Sequence, residues 1–180
     1  MDRFHALGYS ATGVQEIVDT AGIPKGSFYN YFKAKELLAC EVFQLYMRGV
    51  RLDTLDDGLV APETRLRRHF EGLAANFARI GYAKGCLVGN LVAEATPAAP
   101  ILRQAIASTL AGWTTRLAAV IREGQLDGSF DTAQPPERLA RVLLDGWQGA
   151  VVRMKYTGDG SPLDDFLAIV LPLVSGRPRP

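Results

Sequence analysis

Basic and hydrogen-bonding side chains are concentrated between residues 20 and 36. The stretch from Thr20 to Ala34 contains two lysines, Lys25 and Lys33, and no acidic residue, and Lys35 follows directly. Lysine neutralises phosphate, and tyrosine and asparagine side chains hydrogen-bond to phosphates or base edges. The net charge of the whole chain is only +1, so a surface for nucleic acid must be local. Taken alone, this small patch is a weak indication of DNA binding.

The sequence contains no residue pattern typical of a catalytic or metal site. The two histidines, His5 and His69, have neither triad nor metal-ligand spacing. The two cysteines, Cys40 and Cys86, lie far apart, which argues against a zinc site and against a disulfide scaffold. No glycine-rich phosphate loop follows a predicted strand. We therefore predict no catalytic residues, no metal and no cofactor, and we do not expect an enzyme.

Hydrophobic residues recur with helical spacing along nearly the whole chain, which predicts an all-α protein. One stripe comprises Leu66, Phe70, Leu73, Phe77 and Ile80. Glycine- and proline-rich breakers divide such stripes into about nine helices, and no stretch alternates strictly enough to require a sheet. The longest apolar run has nine residues, from Phe166 to Val174, which is short of a membrane span. We expect a soluble, cytoplasmic protein with no membrane partner.

Two short helices joined by a tight turn are predicted in the region that carries the lysines. Thr12 has the side chain of a helix N-cap, and Gln15, three residues later, completes a capping box. Gly22 suits the left-handed residue that ends a helix, and Pro24 suits the first turn of the next helix, which ends near Phe32. This is the helix-turn-helix plan, in which the second helix enters the major groove of DNA.

The same region resembles the signature of the TetR (tetracycline-repressor) family of bacterial transcriptional regulators. The family pattern A-G-[VI]-x-K-G-x-[LF]-Y-x-[YH]-F-x-x-K-E matches AGIPKGSFYNYFKAKE, residues 21–36, at nearly every constrained position. The resemblance implies a helix-turn-helix DNA-binding domain over residues 1–34, a helical ligand-binding and dimerisation domain over 35–176, and a disordered tail over 177–180. The residues that it implies at the DNA are Thr12, Lys25, Gly26, Ser27, Tyr29, Asn30, Tyr31 and Lys35.

Two later motifs are similar to one subgroup of this family, which includes regulators of acrylate and reactive-electrophile detoxification. They are GCLVGNL at residues 85–91, with Glu94, and LDGWQGA at residues 144–150. The resemblance implies a ligand-responsive repressor, a homodimer that is released from a palindromic double-stranded DNA operator by a small-molecule inducer. The candidate inducer-pocket residues are Phe70, Phe77, Cys86, Asn90, Trp113 and Trp147. The candidate dimer-interface residues are Gly146, Gly149, Ala150, Phe166 and Val170.

The sequence is compatible with several alternatives. An aromatic residue on a helical stripe is more often core than pocket, and the last helix could close the monomer core instead of a dimer. Cys86 follows Lys84 at a predicted helix N-terminus, which would favour a thiolate, so it is either an electrophile sensor or a small buried residue. Only seven residues precede Gly8, a short first helix for this family. A short first helix leaves two alternatives open, DNA binding without sequence specificity and binding to another partner. Activation of transcription is a further alternative to repression.

Overall fold

The computed structural model describes residues 1–94, 97–130 and 134–175. These residues form an all-α structure of nine helices and two 3-10 turns with no strand among them, which confirms the predicted fold class. None of the helices in these three segments is long and apolar enough to cross a membrane. The tail predicted at residues 177–180 lies outside the described residues.

The helices are numbered in chain order. They are α1 Asp2–Ala11, α2 Val14–Ala21, α3 Lys25–Tyr31, α4 Lys35–Arg48, α5 Pro62–Ile80, α6 Leu87–Glu94, α7 Pro100–Leu126 and α8 Pro136–Thr157. The last helix, α9, is α-helical over Ser161–Asp165, π-helical over Phe166–Val170 and α-helical again over Leu171–Ser175. The 3-10 turns are Leu52–Leu55, before α5, and Tyr82–Lys84, before α6.

The chain forms two compact units. The first comprises Met1–Gly49 and Cys86–Thr109, and the second comprises Val50–Gly85 and Leu110–Pro180. The predicted domain boundary after residue 34 does not coincide with this division, because α4 and α6 belong to the first unit. The physical reason is that α6 packs against α1 and α4, a contact between segments distant in sequence that no local pattern indicates.

The first helix is interrupted at Gly8. This residue has φ of 81° and ψ of −179°, which is left-handed backbone that favours glycine. Thr12 follows the break, and its hydroxyl donates a hydrogen bond of 2.6 Å to the carbonyl of Gly8. The side chain of Thr12 is fully buried, so its hydroxyl needs such a partner inside the protein.

The predicted capping box at the start of α2 is wrong. The N-cap of α2 is Gly13, and no side chain caps it. The hydroxyl of Thr12 is committed to the broken end of α1, and the amide of Gln15 donates instead to the carboxylate of Asp19 at 2.8 Å. Because of the break at Gly8, the hydroxyl of Thr12 bonds to the Gly8 carbonyl of α1 and does not cap α2.

The turn between α2 and α3 is built as predicted. Gly22 is left-handed, with φ of 66° and ψ of 30°, and its N–H bonds to the carbonyl of Asp19. The N–H of Ile23 donates to the carbonyl of Val18 at 3.1 Å. The two hydrogen bonds together are those of a Schellman C-cap. Pro24 is the N-cap of α3 and fixes the extended backbone that opens it.

A cluster of aromatic rings fills the core of the second unit. The rings of Phe70, Trp147 and Phe166 pack in mutual contact, with centroids 5.0 to 5.2 Å apart. These residues lie on α5, α8 and α9, and each is at most 1% exposed. A Cβ on Gly146 would lie 3.4 Å from Val170 and 3.5 Å from Phe166. The small residue therefore lets α9 approach α8 closely, within one chain.

His69, which is itself buried, lies in this unit at the centre of a hydrogen-bond chain. The indole N–H of Trp113 donates to Nε2 of His69 at 3.1 Å, so Nε2 carries no proton. The remaining proton is on Nδ1, which lies 3.1 Å from the hydroxyl of Thr54, and that hydroxyl donates to the carbonyl of Arg51. Burial lowers the pKa of His69 to about 4, although the Arg51 carbonyl and the Asp53 carboxylate act in the opposite direction.

The low pKa of His69 predicts a pH-dependent stability. In the unfolded chain the imidazole titrates near its ordinary value of 6.5, whereas in the folded protein it titrates near 4. The folded state therefore binds the proton less readily, and the free energy of unfolding should fall as the pH drops from about 6.5 to 4. The loss due to this group is about 3 kcal/mol at most.

Urea unfolding at a series of pH values checks this prediction. His69→Gln keeps an amide that can accept from Trp113 and donate to Thr54, but it does not titrate. The variant should lose the part of the pH dependence that lies between 4 and 6.5. Equal pH slopes for the variant and the parent protein would contradict the prediction.

Candidate nucleic-acid interface

Helix α3 is anchored by one buried side chain and leaves most of its surface exposed. Phe28 is 3% exposed, whereas Tyr31 is 80% exposed and Tyr29 is 47% exposed. The ring of Phe28 packs against the ring of Phe32, with centroids 5.8 Å apart. Of the residues predicted to contact DNA, the exposed ones on α3 are Lys25, Gly26, Tyr29, Asn30 and Tyr31, and Ser27 is half-buried.

This surface has the chemistry that phosphate and base edges require. Lys25 opens the helix with a positive charge, and α3 contains no acidic residue. The two exposed tyrosines and Asn30 offer hydroxyl and amide groups that can donate or accept hydrogen bonds. The helix is only seven residues long, so these exposed groups lie close together.

Gly26 has a place on this surface that the fold itself does not explain. A Cβ built on Gly26 would meet no atom of the chain within 4 Å, and its backbone is not left-handed. Neither packing nor backbone conformation therefore requires glycine inside α3, where glycine is unfavourable relative to alanine. A missing side chain in the exposed surface suits close approach of an external partner to the backbone.

Thr12 and Lys35, the other two residues predicted at the DNA, point into the first unit. Thr12 is fully buried against the end of α1. The ammonium of Lys35 donates to the carbonyl of Tyr9 at 2.8 Å and lies 4.3 Å from the centre of the Tyr9 ring. Burial lowers the pKa of Lys35, and the carboxylate of Glu94 partly offsets this. The structure thus gives both residues intrachain partners in addition to any partner outside.

The six predicted inducer-pocket residues fall into two groups. Four of them, Phe70, Phe77, Trp113 and Trp147, are buried in the core of the second unit. Cys86 and Asn90 belong to the first unit, where the amide of Asn90 donates to the carbonyl of His5 at 3.3 Å.

The two groups are not brought together within either unit. A groove of about 420 Å³ in the first unit is lined instead by side chains of α1, α2 and α4, among them Phe4, Ile17 and Leu38.

Neither cysteine is exposed. Cys86 immediately precedes α6 and is 6% exposed, and the hydroxyl of Tyr46 donates to its sulfur at 3.4 Å. Burial and this contact raise the pKa of Tyr46. Cys40 is also buried, and burial together with Glu36 and Glu41 raises the pKa of its thiol. Cys40 therefore has the environment of an unreactive core thiol.

The predicted dimer residues divide between the core and the surface. Phe166 is buried in the chain's own aromatic cluster, and Gly146 packs under Phe166 and Val170. The side chain of Phe166 is thus already enclosed within one chain, and its place in a dimer interface stays a prediction. Gly149 is exposed and Ala150 is half-buried.

The apolar residues that do face outward on α8 and α9 differ from those predicted. They are Val142, Val152, Tyr156, Ile169 and Leu173, each more than half exposed. Along α8, Val142, Gly149, Val152 and Tyr156 are spaced by seven, three and four residues, so they lie on one face of the helix.

Gly26 yields a prediction that separates stability from binding. Gly26→Ala should raise the free energy of unfolding by about 1 kcal/mol, because alanine is the better helix former and has open space. The same change should weaken DNA binding about tenfold, the size expected for the loss of one charge-assisted hydrogen bond to phosphate.

Thermal unfolding and fluorescence anisotropy on a labelled duplex from the DNA flanking the gene measure the two effects. Gly72→Ala on α5 is the matched control, since Gly72 also has no atom within 4 Å of its added Cβ. The control should gain stability with unchanged DNA affinity. If Gly26→Ala binds DNA as well as the parent protein, α3 does not approach DNA at this residue.

Comparison with known proteins agrees with this geometry. The model of bacterial regulatory proteins of the tetR family matches residues 2–42, and that of the tetracyclin repressor-like C-terminal domain matches residues 62–170. The chain is 36% identical to the HTH-type transcriptional repressor DhaR of Mycobacterium sp. (strain GP1), over 93% of this chain and 84% of DhaR. It is 37% identical to the transcriptional regulator AcuR of Cereibacter sphaeroides, over 92% and 77% of the two chains.

A solved structure extends the likeness to three dimensions. The regulatory protein TetR from Rhodobacter sphaeroides superposes with a TM-score of 0.86 at 34% identity, covering 96% of this chain and 93% of that one. The relatives are transcriptional regulators, in agreement with the prediction that the chain is not an enzyme. The chain belongs to the TetR family of bacterial regulatory proteins.

Proposed function

We propose that this protein is a ligand-responsive repressor that acts in the cytoplasm and binds a palindromic DNA operator as a homodimer. The observation that carries the proposal is the exposed face of α3, on which Lys25, Tyr29, Asn30 and Tyr31 project while Phe28 holds the helix. Such a helix after a tight glycine turn is the element that enters the major groove in helix-turn-helix proteins. The related DhaR carries the name of a repressor.

The proposed DNA contacts are six of the seven residues of α3, all except the buried Phe28. Lys25 and the backbone at Gly26 and Ser27 are assigned to phosphate, and Tyr29, Asn30 and Tyr31 to bases or phosphate. Thr12 and Lys35 are assigned instead to holding α1, because their polar atoms bond to the Gly8 and Tyr9 carbonyls.

Operator binding is tested by fluorescence anisotropy on the DNA flanking the gene, with excess nonspecific DNA present. The double variant Lys25→Ala, Tyr29→Ala should abolish the competition-resistant binding, since it removes a phosphate contact and a hydroxyl from α3. Lys33→Ala is the matched control, because Lys33 is an exposed lysine beyond the end of α3. Binding that bulk DNA abolishes would favour the alternative of a protein without sequence specificity.

The proposed inducer site lies within the second unit, around Phe70, Phe77, Trp113 and Trp147. Large apolar side chains with a few polar groups are the usual lining of a small-molecule site. The rings are packed against one another, so a ligand must displace side chains to enter. A ligand that binds more tightly to a conformation with low DNA affinity lowers that affinity by the ratio of its two affinities.

The two tryptophans make inducer binding directly observable. The chain has only two, and both are in this cluster, so a ligand that enters it should change the intrinsic fluorescence. An inducer should produce that change and release DNA at the same concentration. Release of DNA without any change in tryptophan fluorescence would place the effector site elsewhere.

The motifs at residues 85–91 and 144–150 support placement in the subgroup that includes regulators of acrylate and reactive-electrophile detoxification. Modification of Cys86 is a second candidate mode of induction. Its burial and the hydrogen bond from Tyr46 favour reversible binding of a small molecule over thiol chemistry. Under a mild alkylating agent, rapid labelling of Cys86 with loss of DNA binding, absent in Cys86→Ser, would reverse this preference.

The proposed dimer interface is the exposed apolar face of α8 and α9. Val152 on α8 and Ile169 on α9 are 64% and 58% exposed in the single chain, and burying such residues against a second copy is favourable. Gly149, also exposed, would let the partner helix approach.

Val152→Asp should convert the dimer into a monomer, because a buried carboxylate without a partner is costly. Loss of the dimer should also weaken operator binding, since one protomer contacts one half-site only. Light scattering after size exclusion measures the first effect and anisotropy the second. Leu126→Asp is the control, as Leu126 is 83% exposed on α7, and a dimer that survives Val152→Asp would place the interface on another face.

A further inference from the structure

The peptide group between Tyr9 and Ser10 is held at both ends by charged side chains from two other helices. The carboxylate of Glu94, on α6, accepts a hydrogen bond of 2.7 Å from the N–H of Ser10. The ammonium of Lys35, on α4, donates to the carbonyl of Tyr9 at 2.8 Å. We call this arrangement of Glu94, Lys35 and the Tyr9–Ser10 peptide the α1 clamp.

Gly8 makes the α1 clamp possible. Its left-handed φ of 81° breaks the helix just before the clamped peptide. A Cβ on Gly8 would overlap Oε1 of Glu94, so the carboxylate lies directly against the bare Cα. Any larger residue at this position would both strain the backbone and push Glu94 off the peptide.

The two charges reinforce each other through the peptide. The carboxylate attracts the positive end of the peptide dipole and the ammonium attracts the negative end, so each polarises the group in the direction that strengthens the other bond. Glu94 also acts directly on Lys35, since its charge raises the pKa of a lysine that burial lowers.

Further hydrogen bonds and an ion pair join α1 to α6 and to α2. The amide of Asn90, one turn before Glu94 on α6, donates to the carbonyl of His5. On the other side, Arg3 bonds to the hydroxyl of Thr20 at 3.1 Å and lies 3.5 Å from the carboxylate of Glu16, both on α2. The position of α6 is therefore coupled to α2 through α1, and α2 carries the turn that presents α3.

We propose that Glu94 is a positioning residue for sequence-specific DNA recognition: by seating its carboxylate on the Tyr9–Ser10 peptide, it fixes α1 and with it the orientation of α2 and α3. Glu94 does not itself contact DNA, and its negative charge by itself opposes binding to phosphate. The inference rests on the proposed DNA-binding function.

The ratio of specific to nonspecific DNA affinity separates positioning from other roles. Glu94→Ala should lower affinity for the specific site about tenfold, the size of one charge-assisted hydrogen bond. Affinity for unrelated DNA should stay equal or rise, because a negative charge is lost. Glu94→Gln, which keeps an acceptor of the same shape, should restore part of the specific affinity.

Glu41→Gln is the matched control, since it removes the same charge from an exposed position on α4 outside the clamp. It should leave the specific-to-nonspecific ratio unchanged. A parallel loss of both affinities in Glu94→Ala would indicate a folding defect, and a parallel rise would indicate a charge effect. Either of these results, or an unchanged ratio, would overturn the proposal.

Amide hydrogen exchange of Ser10, measured by NMR without DNA, tests the clamp independently of the proposed function. The Ser10 amide should exchange at least about tenfold faster in Glu94→Ala than in the parent protein, with α3 amides also faster but α5 amides unchanged. Unchanged exchange at Ser10 would refute the clamp. If the Ser10 amide exchanges faster in Glu94→Ala but the parent protein binds no specific DNA, the clamp stands and the proposed DNA-binding function is refuted.

Discussion

A helix of seven residues has too few internal hydrogen bonds to be stable by itself, so α3 depends on the burial of Phe28. That single anchor decides which side of α3 faces the protein, and it leaves Lys25, Tyr29 and Tyr31 facing outward. The turn before it admits little variation, since Gly22 is left-handed and Ile23 bonds back to Val18. Everything proposed for DNA recognition follows from this anchored and oriented short helix.

The second unit is built on a different constraint, the packing of large rings without gaps. Phe70, Trp147 and Phe166 meet from three helices, and Gly146 admits the close approach that this requires. His69 can lie beside this core only as a neutral imidazole, because Trp113 donates to its Nε2 and burial disfavours its charge.

The sequence predicted local structure well where a residue acts through its own backbone. Gly22 ends α2 because glycine tolerates positive φ, and the helical stripes predicted nine helices because the periodicity is regular. It was wrong about the capping role of Thr12, and it did not indicate the partners that Lys35 and Phe166 have within the chain, because these residue types fit more than one role. Thr12 suits both a cap and a buried hydroxyl, and only the break at Gly8, seen in space, selects the second.

From the sequence alone one could determine the all-α class, the helix-turn-helix and the residues of α3 that are exposed, since these depend on spacing and backbone preference. The tertiary structure decided which distant side chains share an environment. Only folding brings Glu94 to the N–H of Ser10, 84 residues earlier in the chain. Only folding encloses Phe166 while leaving Val152 and Ile169 exposed. Burial and long-range pairing depend on how helices pack, and helical periodicity gives the apolar face of each helix but not the neighbour that covers it.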